Sequence, residues 1–241
     1  MNEVLIRRDS GGSALAERLR ALGFAAQTIV CTSRLRTLLA PTAGAPRPRR
    51  AVLLGTDLPE ETLTRTLATL SEPFAAGRAM GVAVGPPPAR ALSLRLQEAG
   101  FALALYEPFT TATLRFQLNR AFLHTRPSGA TRCGLRAPVD WRAAVKVGKR
   151  SKAVTLYDLS QGGAFLETPR PSLRGVDVRL ELPLPSGTRT LDATVVHTNV
   201  PGNLKHPYMP YGMGIRFGTL PQPLAQELAT LIDRESEALM V

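Results

Sequence analysis

Cysteine is nearly absent from this 241-residue chain: Cys31 and Cys133 are the only two, one in each half. That scarcity excludes a disulfide framework and a thiolate metal cluster, and a cytoplasmic location is the default expectation. Histidine is as thin. His124, His197 and His206 have no ligand spacing, so no metal site is expected. No apolar run approaches the roughly 20 residues that a membrane-spanning helix needs, which argues against membrane insertion. The opening MNEVLIRRDS sets an acid before a short apolar run and arginines after it, which suits a first strand and not a secretory leader. Acidic residues are outnumbered, giving a formal net charge of +11. Yet residues 1–125 carry 15 Arg against 9 acids and residues 126–241 carry 15 Lys or Arg against 10, with the signs mixed. Such a distribution describes a solvated surface with room for a local anion site. A DNA-binding regulator is therefore a weak alternative: no helix-turn-helix pattern accompanies the charge, and no nucleic-acid partner is expected.

What is present falls into two grammars. In the first half, NEVLI, AAQTIV, AVLLG, GVAVG and FALALY are short apolar runs of strand type. Helical spacings lie between them: Leu15, Leu19 and Leu22; Leu63, Leu67 and Leu70; and, after the last, Leu114, Leu118 and Ala121. Gly23-Phe24 and Gly100-Phe101 place a glycine where a left-handed helix cap leads into a strand. Five such units predict a parallel sheet covered by helices on both faces, with APTAGAPRPRR as a loop before the third strand.

After Arg126 the period becomes two. Val139, Trp141, Ala143, Val145 and Val147 alternate with mostly polar residues, as do Val176, Val178, Leu180 and Leu182. Turn signals at 147–149, 185–187 and 201–203 separate the runs. An antiparallel barrel or sandwich with one buried face follows, closed by a helix that opens at Pro221 or Pro223 and carries Leu224, Leu228 and Leu231. Trp141, in phase with Val139 and Val145, reads as core. The expected domains are 1–125, α/β, and 126–241, all-β with a terminal helix; HTRPSGATR at 124–132 links them.

The first half resembles the receiver domain of bacterial response regulators, on VLLGTDLP at 52–59 and YEPFTTATLRFQL at 106–118. That resemblance implies a phosphorylation pocket whose chemistry is missing here. The carboxylate pair after the first strand is replaced by Arg7-Arg8-Asp9, and Gly55 stands at the phosphoacceptor position, so no phosphoacceptor is expected. Val84-Gly85-Pro86 offers no hydroxyl, Glu107 replaces the lysine, and Asp57 lies two residues too late. A caged phosphoryl group needs a cation to offset its charge. The half is accordingly expected to be a pseudo-receiver that docks a protein partner or forms a homodimer, with no enzymatic activity and no cofactor.

The stretch YDLSQGGAFLE at 157–167 puts Asp158, Ser160, Gly162 and Gly163 where a strand would prefer none of them. Upstream stands Arg132-Cys-Gly-Leu-Arg136, and downstream YGMGIRF at 211–217. Together, in this order, they resemble the PilZ family of cyclic di-GMP receptors over roughly residues 128–235. The resemblance implies cyclic di-GMP as ligand and Arg132, Arg136, Asp158, Ser160, Gly162 and Gly163 as its contacts. Arginine forks suit guanine O6 and N7 or phosphate, and their planes stack on bases. Asp158 can accept from guanine N1–H and N2–H₂ or can fix the turn through its own backbone. Ser160 can give or take a hydrogen bond. The glycines are expected to allow positive φ and close ligand approach. Lys146, Lys149, Arg150 and Lys152 read as a solvated hairpin tip. The function implied is a cytoplasmic second-messenger receptor acting on a protein partner in motility, surface attachment or envelope behaviour, with occupancy coupled through the arginine-bearing linker. An adaptor that binds no nucleotide is the alternative from another class.

Overall fold

In the computed structural model, residues 2–41, 50–124, 135–202, 204 and 208–241 are described. The loop before the third strand and the linker fall largely outside them. The chain divides into two compact units, Met1–Ala130 with Ala238–Val241, and Thr131–Glu237.

The first unit runs β1 (Glu3–Arg7), α1 (Gly12–Ala21), β2 (Ala25–Thr28), α2 (Thr32–Leu39), β3 (Arg50–Gly55), α3 (Glu60–Ala75), β4 (Ala79–Gly85), α4 (Arg90–Glu98), β5 (Phe101–Tyr106) and α5 (Thr111–His124). All strand pairs are parallel, in the order β2-β1-β3-β4-β5. The leucine spacings explain the helices. Leu15, Leu19, Leu63, Leu67, Leu70, Leu114, Leu118 and Ala121 are all buried, and each buried leucine contributes about 1.5–3 kcal/mol relative to exposure. Gly23 and Gly100 take φ of 86° and 92°, the left-handed caps their Gly-Phe steps predict. In this order the winding of the sheet switches from one side of β1 to the other between β1 and β3, so the C-terminal ends of those strands lie at the topological switch point.

Ala238–Val241 completes this unit. The Ala104 amide donates to the Leu239 carbonyl (2.9 Å), and Leu103 bridges Met240 in antiparallel sense. The fully buried Gln117 donates from Nε2 to the carbonyls of Ala104 and Leu239, 2.7 Å each. The segment thus covers the edge of β5, which would otherwise present unpaired backbone groups.

The second unit comprises β6 (Ala137–Val147), β7 (Arg150–Ser160), β8 (Gly163–Glu167), β9 (Asp177–Leu184), β10 (Gly187–Asn199), β11 (Gly212–Phe217) and α6 (Gln222–Glu237). The strands close an antiparallel barrel in the order β10-β11-β8-β7-β6-β9. Period-two residues fill it: Val145, Val178, Leu180, Leu182, Met213, Ile215 and Phe217 are buried together. Leu228, Leu231 and Ile232 of α6 join the same core, so the helix packs on the barrel. Trp141 is half-buried and packs against this core alongside Val139.

Candidate functional site

Two irregularities in the ladder aim the charged residue of YDLSQGGAFLE. Between β6 and β7 the register passes from Pro138↔Asp158 to Trp141↔Leu156, leaving one extra residue on β6, where Asp140 has φ 48°. Between β7 and β8 it passes from Asp158↔Phe165 to Leu156↔Leu166, leaving Tyr157 extra on β7. Bulges turn a strand and redirect its side chains. Asp158 lies between the two and is left only 6% exposed, a burial that requires a partner for its charge.

Arg136, just ahead of β6, is that partner. Its NH1 donates to Asp158 Oδ1 at 2.6 Å, while its side chain stays 42% exposed. A charge-assisted bond this short, with one end buried, fixes where the guanidinium begins and leaves its outer face in solvent. Ser160 sits at the end of β7, buried, with its hydroxyl donating to the Gly163 carbonyl at 2.9 Å. The oxygen of that hydroxyl keeps its acceptor capacity.

The glycines differ from expectation. Neither Gly162 nor Gly163 has a positive φ. Gly163 is required by packing across the ladder: a Cβ there would lie 2.1 Å from the Ile215 carbonyl oxygen of β11. Gly162 is exposed, and a Cβ on it would meet nothing within 4 Å, so its main chain is open to approach. Arg132, with Cys133, lies outside the described residues. Of the predicted contacts, the structure therefore brings Arg136 against Asp158 and places Ser160, Gly162 and Gly163 at the adjoining turn. A cavity of about 630 Å³ between β10 and the start of α6, lined by Arg189, Asp192, Thr219, Leu224 and Glu227 among others, includes none of these residues. Among the described residues no group of three His, Cys, Asp or Glu side chains is placed to hold a metal ion.

At the C-terminal ends of β1, β3 and β5 in the first unit, three charged side chains pair with one another. Arg8, 7% exposed, follows β1 and reaches Glu107 after β5 (NH1 to Oε1, 2.8 Å) and Asp57 after β3 (NH2 to Oδ2, 3.3 Å). Ser10 Oγ donates to the same Asp57 oxygen at 3.1 Å. Gly55 is the space this pair needs, because a Cβ there would lie 2.3 Å from Asp57 Oδ1 and 2.9 Å from Arg8 Cγ. Burial alone would raise the Asp57 pKa; the charge of Arg8 and the bonds from Ser10 and Arg8 outweigh it and hold the carboxyl below its ordinary value. Burial likewise opposes the charge on Arg8, but Glu107 and Asp57 hold its proton more firmly than usual. The sequence shows this constellation only as two separate charge reversals, at positions 8 and 107. Their compensation is the signal that they touch. Asp57 serves as the second carboxylate of a salt-bridge triad.

Residues 130–234 match the family described as the PilZ domain. No curated protein matches the chain. Among solved structures, it is similar to the Bacillus subtilis inhibitor of motility MotI/DgrA: 17% identity, 45% of this chain, 52% of that one, TM-score 0.34. It is also similar to Borreliella burgdorferi PlzA in complex with c-di-GMP: 12% identity, 51% of this chain, 46% of that one, TM-score 0.32. A third is the response regulator receiver protein of Burkholderia phymatum: 20% identity, 51% of this chain, 95% of that one, TM-score 0.41. The chain spans about half the length of the first two. Residues 130–234, which fold into the closed barrel and its terminal helix, are thus a PilZ domain, and it follows a parallel (βα)5 unit in the chain.

Proposed function

We propose that the PilZ domain binds cyclic di-GMP through Arg132, Arg136, Asp158, Ser160 and the main chain at Gly162 and Gly163. The observation that carries this reading is the Arg136–Asp158 pair, which ties the arginine segment to the turn of YDLSQGGAFLE at 2.6 Å. The ligand offers two anionic phosphates and guanine edges. An arginine fork held at one nitrogen still has donors for O6 and N7 or for phosphate, and its plane still stacks. Asp158 accepts from the ligand's N–H groups or holds Arg136 in place for it. Gly163 serves the ladder, and Gly162 gives the ligand access to the backbone.

The receiver-like unit is the side that meets a protein partner, and the role is binding with no chemical step. Control of motility, surface attachment or envelope behaviour is the class of output this reading assigns. Isothermal calorimetry with cyclic di-GMP tests it. Saturable heat is expected for the wild type and a large loss for Arg132→Ala and Asp158→Ala. A folded wild type that gives no heat favours the adaptor.

A further inference from the structure

The packing face of α6 contains one residue out of character. Leu228, Leu231 and Ile232 enter the barrel core, and the stripe continues four residues on with Ser236, which is 4% exposed. A hydroxyl buried on an apolar stripe carries a desolvation cost unless it is hydrogen-bonded. Its partner is the main-chain carbonyl of Arg136, to which Ser236 Oγ donates at 3.4 Å.

Residue 136 is thereby held three ways. Its carbonyl is bonded to α6, its neighbour Ala137 is fully buried in the core shared with α6, and its guanidinium is bonded to Asp158. Only the last restrains the side chain. The first two set the point from which the side chain starts, and at the end of a long side chain the guanidinium magnifies any drift of that point. Preorganisation of this kind acts on affinity by removing the cost of ordering the group at binding.

We propose that Ser236 is a positioning residue for nucleotide binding: α6 fixes the main chain of Arg136 so that its guanidinium is presented to cyclic di-GMP. This rests on the nucleotide reading above and adds a residue some hundred positions from the arginine it serves. It also makes α6 the element that feels Arg136 engage its ligand.

The test uses the full chain. Ser236→Ala is expected to weaken cyclic di-GMP binding about 3- to 10-fold by calorimetry, the worth of one hydrogen bond, with the barrel's circular dichroism unchanged. Ser236→Thr, which keeps the hydroxyl, is expected to stay within about 2-fold of wild type. Because Ser236 acts through Arg136, adding Ser236→Ala to Arg136→Lys is expected to weaken binding little further; a merely structural role would give the full loss in both backgrounds. Wild-type affinity in Ser236→Ala, or the same loss in both backgrounds, overturns the proposal. If the wild type binds no nucleotide, the nucleotide reading falls, and the ligand-free arm decides positioning on its own. There, the Arg136 and Ala137 amides are expected to shift in the NMR spectrum of Ser236→Ala and return in Ser236→Thr; unshifted amides overturn the anchoring of Arg136 by α6.

Discussion

Gly55 closes β3 beside Arg8 and Asp57, at the position where the sequence resemblance leads one to expect a phosphoacceptor, and replacing it by the smallest side chain measures what the position does. In Gly55→Ala the new methyl would lie 2.3 Å from Asp57 Oδ1, 2.9 Å from Arg8 Cγ and 3.0 Å from Arg8 Cα. The last is backbone, so the Asp57 carboxylate must give way by about 1 Å to reach an ordinary contact. That swing stretches the bonds from Arg8 at 3.3 Å and Ser10 at 3.1 Å. Overpacking costs about 1–3 kcal/mol. Weakening bonds to a charged group adds to it, discounted because the Asp57 side chain is 18% exposed. Alanine recovers about 0.4–1 kcal/mol by restricting the unfolded chain. The balance is a loss of about 2 kcal/mol, or a fall of about 6 °C or more in the midpoint of the first unit. Calorimetry on the full chain reads it, with the barrel transition as internal reference. In an Asp57→Ala background the same change is expected to cost about 1 kcal/mol less, because the closest clash is gone. A first-unit midpoint within about 1 °C of wild type would refute the account of Gly55 as the room that the triad requires.

Four further outcomes follow from the same geometry. Asp57 has a depressed carboxyl pKa, so its contribution to the first unit is present above the ordinary value of 3.8 and is lost as pH falls below it; acid titration of first-unit stability is expected to flatten in Asp57→Asn. Acetyl phosphate with Mg²⁺ is expected to add no mass to residues 1–125 by intact-protein mass spectrometry. Gly163→Ala is expected to destabilise the barrel by more than about 2 kcal/mol in urea, since its methyl meets a backbone oxygen at 2.1 Å, whereas Gly162→Ala is expected to leave the fold unchanged and to weaken cyclic di-GMP binding. Cys31 is exposed, and a hydrogen bond from Ser33, together with the Arg34 amide and nearby arginines, lowers its thiol pKa. Alkylation of Cys31 is therefore expected to set in at lower pH than in Ser33→Ala.

Both architectures were legible because their periods differ. Leu63, Leu67 and Leu70 at helical spacing, and Val178, Leu180 and Leu182 at spacing two, are the side chains that build the two cores. The capping glycines at 23 and 100 were legible for the same reason: their conformation is set by the few residues around them. What escaped the sequence depends on contacts across the chain. The bulges that bury Asp158 arise from how β7 registers with two neighbours at once, and nothing local to Tyr157 or Asp140 announces them. Gly163 looks like a turn residue from its sequence neighbours, yet its reason is the Ile215 carbonyl more than fifty residues away. The triad of Arg8, Asp57 and Glu107 was visible only as three departures from a pattern, because charge compensation shows only once the ends of β1, β3 and β5 are adjacent. In the barrel, the motif names Arg136 and Asp158, and the structure adds that they already hold each other.

The strand segment at Leu239 and Met240 has a consequence for the order in which the molecule can be made. A ribosome delivers β5 long before it delivers the residues that cover its edge, and the whole of Thr131–Glu237 is synthesised in between. Until then the Ala104 amide lacks the Leu239 carbonyl, and Gln117 has one of its two carbonyls missing. The first unit is thus begun before the barrel and completed after it. Its final hydrogen bonds span more than a hundred residues, so a nascent chain stalled after the first 130 residues carries an open sheet edge, with the tendency to pair with a neighbouring chain that such edges have.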